Sequence, residues 1–64
     1  MWGGKSKDVI INDNVFIGSK VSIMKGVTIG KNSVIANGSV VFDDVPENSI
    51  VRGNPAVFYK KLEY

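Results

Sequence analysis

From Ile11 to Val41 an isoleucine or valine returns at every sixth residue. Set in blocks of six, the chain reads Ile-Asn-Asp-Asn-Val-Phe (11–16), Ile-Gly-Ser-Lys-Val-Ser (17–22) and Ile-Met-Lys-Gly-Val-Thr (23–28). It continues Ile-Gly-Lys-Asn-Ser-Val (29–34), Ile-Ala-Asn-Gly-Ser-Val (35–40) and Val-Phe-Asp-Asp-Val-Pro (41–46). The fifth position is Val or Ser throughout. The second is Gly or Ala, apart from Asn12, Met24 and Phe42, and the third and fourth are polar, charged or Gly in every block. A helix cannot use this pattern, because anchors six residues apart turn through about 600° and drift around its surface. Independent strands give local alternation, as at Val15/Ile17 and Val21/Ile23, but no reason for a β-branched residue at every sixth place.

The pattern therefore predicts an all-β chain wound as a hexapeptide-repeat parallel β-helix of about two to three coils. Each hexad supplies a short strand and a corner. The first and fifth positions point inward, and the third and fourth turn the corner, which suits Asp13-Asn14, Lys25-Gly26, Asn37-Gly38 and Asp43-Asp44. Three hexads close one triangular coil, so residue n lies under n+18. The expected ladders are Ile11/Ile29, Ile17/Ile35, Ile23/Val41, Val15/Ser33, Val21/Ser39 and Val27/Val45. Gly18, Gly30 and Ala36 keep the wall thin, so that a ligand or a neighbouring backbone can come close. Ser33 and Ser39, if buried, need hydrogen-bond partners.

Three segments follow. Residues 1–10 are an N-terminal loop and first strand, residues 11–46 the β-helix, and residues 47–64 a closing strand, a Gly-Asn-Pro-Ala turn and a tail. Glu47-Asn48-Ser49 reads as the break in the hexad register. Val57 to Tyr64 fits a strand or a short helical tail, with Phe58 and Leu62 spaced for one helix face.

Composition narrows the chemistry. The 64 residues contain no cysteine and no histidine. Disulfides and cysteine or histidine metal sites are excluded, and so is the commonest general base. A net charge of +2 argues for neither nucleic acid nor an anionic membrane. No apolar run approaches the roughly 18 residues of a spanning helix, and no secretory leader is visible behind Met1. The expectation is a cytoplasmic protein.

Val15-Phe16-Ile17-Gly18-Ser19, Gly26-Val27-Thr28-Ile29-Gly30 and Ser33 through Val41 resemble the hexapeptide-repeat acyltransferases. Asp44 through Val51, followed by Gly53-Asn54-Pro55-Ala56, resembles that family's closing segment. The similarity covers about residues 9–60. It points to the maltose, galactoside, xenobiotic and capsule-sugar O-acetyltransferases, of which this chain would be a C-terminal portion. The resemblance implies a left-handed parallel β-helix, a homotrimer, acetyl-CoA as cosubstrate and a sugar or similar small hydroxyl acceptor. It also implies coenzyme contacts. Ser19 matches the Ser or Gly after Ile-Gly, Ala36 and Asn37 fall where pantetheine runs, and Lys60 matches one of the basic residues that meet the phosphates. Lys61 and Arg52 are alternatives for that last role, and a merely solvated Lys60 is the plain reading. Phe16 stands where relatives usually carry Trp, and Phe42 where a Thr is common.

The family's proton acceptor is a histidine, roughly two dozen residues before the position of Phe16, which falls before Met1. No catalytic residue is assigned in this chain. The carboxylates Asp8, Asp13, Asp43, Asp44, Glu47 and Glu63 sit at corners or ends, and nothing pairs them. Two readings stand: part of an acetyl-CoA-dependent O-acetyltransferase without its base, or a non-catalytic β-helix module for oligomerisation.

Overall fold

The structure, a computed structural model, describes residues 8–63, and within them all regular structure is β. Of the expected N-terminal loop and first strand, residues 1–7 lie outside the described residues. Six two-residue strands come first: β1 (Ile10–Ile11), β2 (Phe16–Ile17), β3 (Ser22–Ile23), β4 (Thr28–Ile29), β5 (Val34–Ile35) and β6 (Val40–Val41). β7 (Ser49–Gly53) and β8 (Ala56–Lys61) are longer. The strands stack into three sheets, β1-β4, β2-β5-β7-β8 and β3-β6. The pairs β1/β4, β2/β5 and β3/β6 are parallel with an offset of 18, as in Ile11↔Ile29, Ile17↔Ile35 and Ile23↔Val41.

The backbone turns where the hexad predicts. Asn14, Lys20, Gly26, Asn32 and Gly38 all have positive φ, between 58° and 83°. These are the fourth positions of five successive hexads. Two are glycine and two asparagine, the residues that tolerate the left-handed region best. Lys20 occupies it without that help.

The inward positions form the core. Val27, Ile29, Ile35, Val41, Val45 and Val51 are buried, with Ser33, Ser39 and Ser49 among them. Each buried serine is satisfied internally. Ser33 Oγ donates to the Pro46 carbonyl at 2.8 Å, Ser39 Oγ to the Ala36 carbonyl at 2.7 Å, and Ser49 Oγ to the Glu47 carbonyl at 3.1 Å. Ser39 Oγ also accepts from the Gly53 N–H at 3.2 Å.

Two expectations are corrected. Val45 does not stack on Val27; it bridges to Ile29. The offset has fallen to 16, and it stays there, since Val34 pairs with Ile50 and Ile35 with Val51. The break is therefore a two-residue shortening between Val41 and Val45, before Glu47-Asn48-Ser49 rather than at it. Those three residues form a regular corner, with Asn48 at φ 56°. The shortening has a local repair. The ladder pattern would give the Thr28 N–H the carbonyl of Asp43; the Asp44 carboxylate accepts it instead, at 2.9 Å.

The tail is a strand. Gly53 (φ 105°) and the cis Asn54-Pro55 bond reverse the chain. β8 then runs antiparallel to β7, with a bulge at Ile50/Val51. β7 offered an unpaired edge, and pairing with it satisfies more backbone groups than eight residues of isolated helix could.

Candidate functional site

Three columns of corner residues run along the prism. At the first, Asn14, Asn32 and Asn48 form an amide ladder: Asn14 Nδ2 donates to Asn32 Oδ1 at 3.1 Å, and Asn32 Nδ2 to Asn48 Oδ1 at 2.9 Å. The second column is Ser19 and Asn37, with Gly53 above them when the Ile35↔Val51 register is continued by two residues. The third carries Gly26 and, at the shortened coil, Asp43 and Asp44.

The second corner brings together three of the four residues expected to contact coenzyme. Ser19 N–H donates to Asn37 Oδ1 at 2.9 Å, and Gly38 N–H donates to the Ser19 carbonyl at 2.9 Å. This fixes the Asn37 amide orientation and leaves its Nδ2 and the Ser19 hydroxyl without partners among the described residues. Both side chains are exposed. Ala36 is next to them, but its backbone is occupied: its N–H donates to the Val51 carbonyl at 3.0 Å, and its carbonyl accepts from Ser39. Only the Ala36 methyl group faces out of the network.

Lys60 lies elsewhere on the same sheet. It pairs with Ile50, three residues before Gly53, so it is displaced from the corner by about 10 Å along the strand direction. Residues directly opposite in a sheet share a face. Lys60 therefore joins the outward row Phe16, Val34, Ile50. Phe16 is 63% exposed at the start of that row.

The thin wall serves the fold. A Cβ on Gly18 would stand 2.8 Å from the Asn37 nitrogen and 3.0 Å from its Cα; one on Gly30 would stand 2.7 Å from the Pro46 carbonyl carbon and the Glu47 Cα. Of the two partners the sequence left open for these small residues, the neighbouring coil occupies the space.

Sequence reasoning missed three features. A hollow of about 350 Å³ lies beside the first corner, lined by Asn12, Asp13, Gly30, Lys31 and Glu47. A second, of about 290 Å³, lies over the last coil, with Val41, Val45 and Val51 beneath and Asp43 and Asp44 at its edge. Ser19, Ala36, Asn37 and Lys60 line neither. The third feature is the Arg52 guanidinium, stacked 3.7 Å from the centre of the Tyr59 ring. The hollow over the last coil lies where the chain shortens, and no composition signal marks it. Arg52 and Tyr59 meet only because residues 56–61 fold back as a strand.

Residues 8–43 match the bacterial transferase hexapeptide (six repeats) family. The chain belongs to this hexapeptide-repeat transferase family. Membership carries the left-handed hand of the coil, which the parallel sheets fit. The chain is similar to the galactoside O-acetyltransferase of Lactococcus lactis, 44% identical over 57 residues, which is 89% of this chain and 28% of that protein. It is also similar to the 2,3,4,5-tetrahydropyridine-2,6-dicarboxylate N-acetyltransferase of Clostridium perfringens, 50% identical over 84% of this chain and 23% of that one. Among solved structures, a hexapeptide-repeat-containing acetyltransferase from Vibrio cholerae, complexed with acetyl coenzyme A, superposes with a TM-score of 0.88. That structure is 46% identical over 91% of this chain and 32% of its own length. The hexapeptide-repeat chain thus spans between about a quarter and a third of these relatives. Among its described residues no helix is long and apolar enough to cross a membrane, and no three Asp, Glu, His or Cys side chains cluster as a metal site.

Proposed function

We propose that this chain is the coenzyme-holding part of an acetyl-CoA-dependent acetyltransferase acting on a hydroxyl of a sugar or similar small molecule. The observation that carries the proposal is the second corner: an exposed Ser19 hydroxyl and Asn37 Nδ2, both without partners among the described residues, on a turn held by the Ser19 N–H bond to Asn37 Oδ1. The 46% identity to a transferase crystallised with acetyl coenzyme A supports it. Ser19 and Asn37 offer polar groups to pantetheine, the Ala36 methyl packs against it, and Lys60 lies further along the sheet towards the phosphates. A cytoplasmic setting, where acetyl-CoA is available, goes with this reading.

The corner is open surface on one chain, so a second wall is needed to enclose a ligand. We assign that wall to a neighbouring subunit of a homotrimer. In the transfer, the acceptor oxygen attacks the thioester carbonyl, its proton passes to a base, and the coenzyme thiolate leaves and is protonated. This chain has no histidine to be that base, so the base comes from protein outside these residues. The same lack of histidine favours the second reading, a non-catalytic oligomerisation module. Calorimetric titration separates the two: the coenzyme reading predicts saturable coenzyme A binding and only background thiol release from acetyl-CoA with sugar acceptors. No binding by the trimeric protein leaves the module reading, and robust turnover by this chain refutes the assignment of the base.

A further inference from the structure

We infer that the free edge of β6 takes an added strand from a partner polypeptide, an extended segment that puts an aliphatic side chain into the hollow over the last coil and basic side chains against Asp43 and Asp44. This goes beyond the coenzyme reading and concerns a different face. The three faces of the prism end at different heights. One continues from β4 to the bridge at Val45, and one from β5 to β7 and β8. The face formed by β3 and β6 stops at β6. The bonds towards β3 use the carbonyls of Ser39 and Val41, which accept from the N–H groups of Ser22 and Met24 at 2.9 Å. Successive residues of a parallel strand direct their backbone groups to opposite sides. Val40 and Phe42 therefore point theirs away from β3, where they meet no partner among the described residues. An edge of this kind is a template for a further strand.

The hollow of about 290 Å³ adjoins this edge. Val41 of β6 is part of its floor, and Val57 and Phe58, 60% and 57% exposed, line its side. A strand added in the register of the coils sets its inward residue over Val41, as Val41 is set over Ile23, and so into the hollow. The next corner of such a strand falls over Asp43 and Asp44. Asp43 has no partner among the described residues, and the Asp44 carboxylate accepts the Thr28 N–H. Lys25 lies one coil below at the 18-residue offset, so the corner keeps a net negative charge. The complement is an aliphatic residue followed two and three places on by lysine or arginine. Backbone pairing supplies the attachment, and the aliphatic and basic side chains supply selectivity.

The test is titration of the isotopically labelled protein with the blocked pentapeptide acetyl-Thr-Val-Thr-Lys-Lys-amide, followed by assigned amide signals. Saturable shifts are expected at Val40, Phe42 and Asp43, with Ser19 and Asn37 unmoved. Two altered peptides leave the protein's fold untouched. N-methylation of the peptide valine removes the N–H that donates to the Val40 carbonyl, and should abolish the shifts. Replacing both peptide lysines by glutamate should abolish them too. Asp43→Asn should weaken binding of the unaltered peptide about two- to fivefold, as for one exposed ion pair. Absence of shifts with the unaltered peptide at millimolar concentration overturns the inference, and so does equal binding of the N-methylated or the glutamate peptide. Val40 and Phe42 amides that become protected from solvent exchange as the protein alone is concentrated would show the edge taken by a second copy, which overturns it as well.

Discussion

At Asn32 one side chain does two jobs. Its backbone is left-handed, at φ 62°, and its amide is the middle rung between Asn14 and Asn48. The two jobs can be separated by substitution. Asn32→Gly keeps the easy φ but loses both side-chain bonds, and should cost about 1–2 kcal/mol. Asn32→Ala loses the bonds and also strains the turn, which adds roughly 1–2 kcal/mol. Chemical denaturation of both variants measures the difference. Equal losses would show that the left-handed turn is not strained by a Cβ. The fourth-position asparagines and glycines were legible in the sequence as corner residues. The ladder was not, because it joins residues 16 and 18 apart and depends on a register that shortens between its two rungs.

The strand-and-corner element was readable wherever β-branched and small polar residues alternated in step, from Ile11 to Val41. It failed at Val45 for a physical reason. A valine fits either inward position, first or fifth, so its identity does not say which one it fills. The chain skips two residues after Val41, and Val45 takes the first position over Ile29. The tail was left between strand and helix because Phe58 and Leu62 satisfy a helical spacing. The deciding fact is tertiary, namely the free edge of β7, and the Leu62 N–H bond to the Asn48 carbonyl at 2.7 Å extends the docking past the strand. Close contact between coils gives a prediction at this scale. Gly30→Ala forces a Cβ against the Pro46 carbonyl carbon and the Glu47 backbone, neither of which is a flexible side-chain end. Overpacking of this kind costs about 1–3 kcal/mol. Gly38→Ala meets no atom within 4 Å, but its φ of 73° is strained for alanine, so it should cost about 1–2 kcal/mol without changing the coil spacing. A shift of the amide signals of Pro46 neighbours Val45 and Glu47 in Gly30→Ala, absent in Gly38→Ala, would register the difference. Identical spectra would contradict the stacking described.

The whole prism is buried at one end and open at the other. Ile35 is 0% exposed, while Ile17, directly beneath it at the same hexad position, is 37% exposed. Ile11 is likewise exposed, and Val15, Val21 and Ile23 are half-buried. Burial, and hence stability, should therefore be graded along the axis. Ile35→Ala should cost about 2–5 kcal/mol, as for a fully enclosed aliphatic side chain. Ile17→Ala should cost about 1 kcal/mol or less if this face meets water. Urea titration of the two variants checks this, and equal large losses would mean that the open end is covered in solution. The candidate site follows the same logic. Ser19, Ala36 and Asn37 share a corner because the 18-residue offset puts them there, and this was legible. The place of Lys60 beside Ile50 depends on how the chain folds back after Gly53, and that was not.

The central claim is that coenzyme A lies on the second corner and the β2-β5-β7-β8 face. The most direct measurement is titration of coenzyme A into the isotopically labelled protein, followed by assigned amide and side-chain nitrogen signals. The account predicts saturable shifts at Ser19 and Asn37 Nδ2, with Asn12, Asp13, Lys31 and Glu47 unmoved. Shifts concentrated in the hollow lined by those last four residues, with Ser19 and Asn37 unmoved, would contradict it.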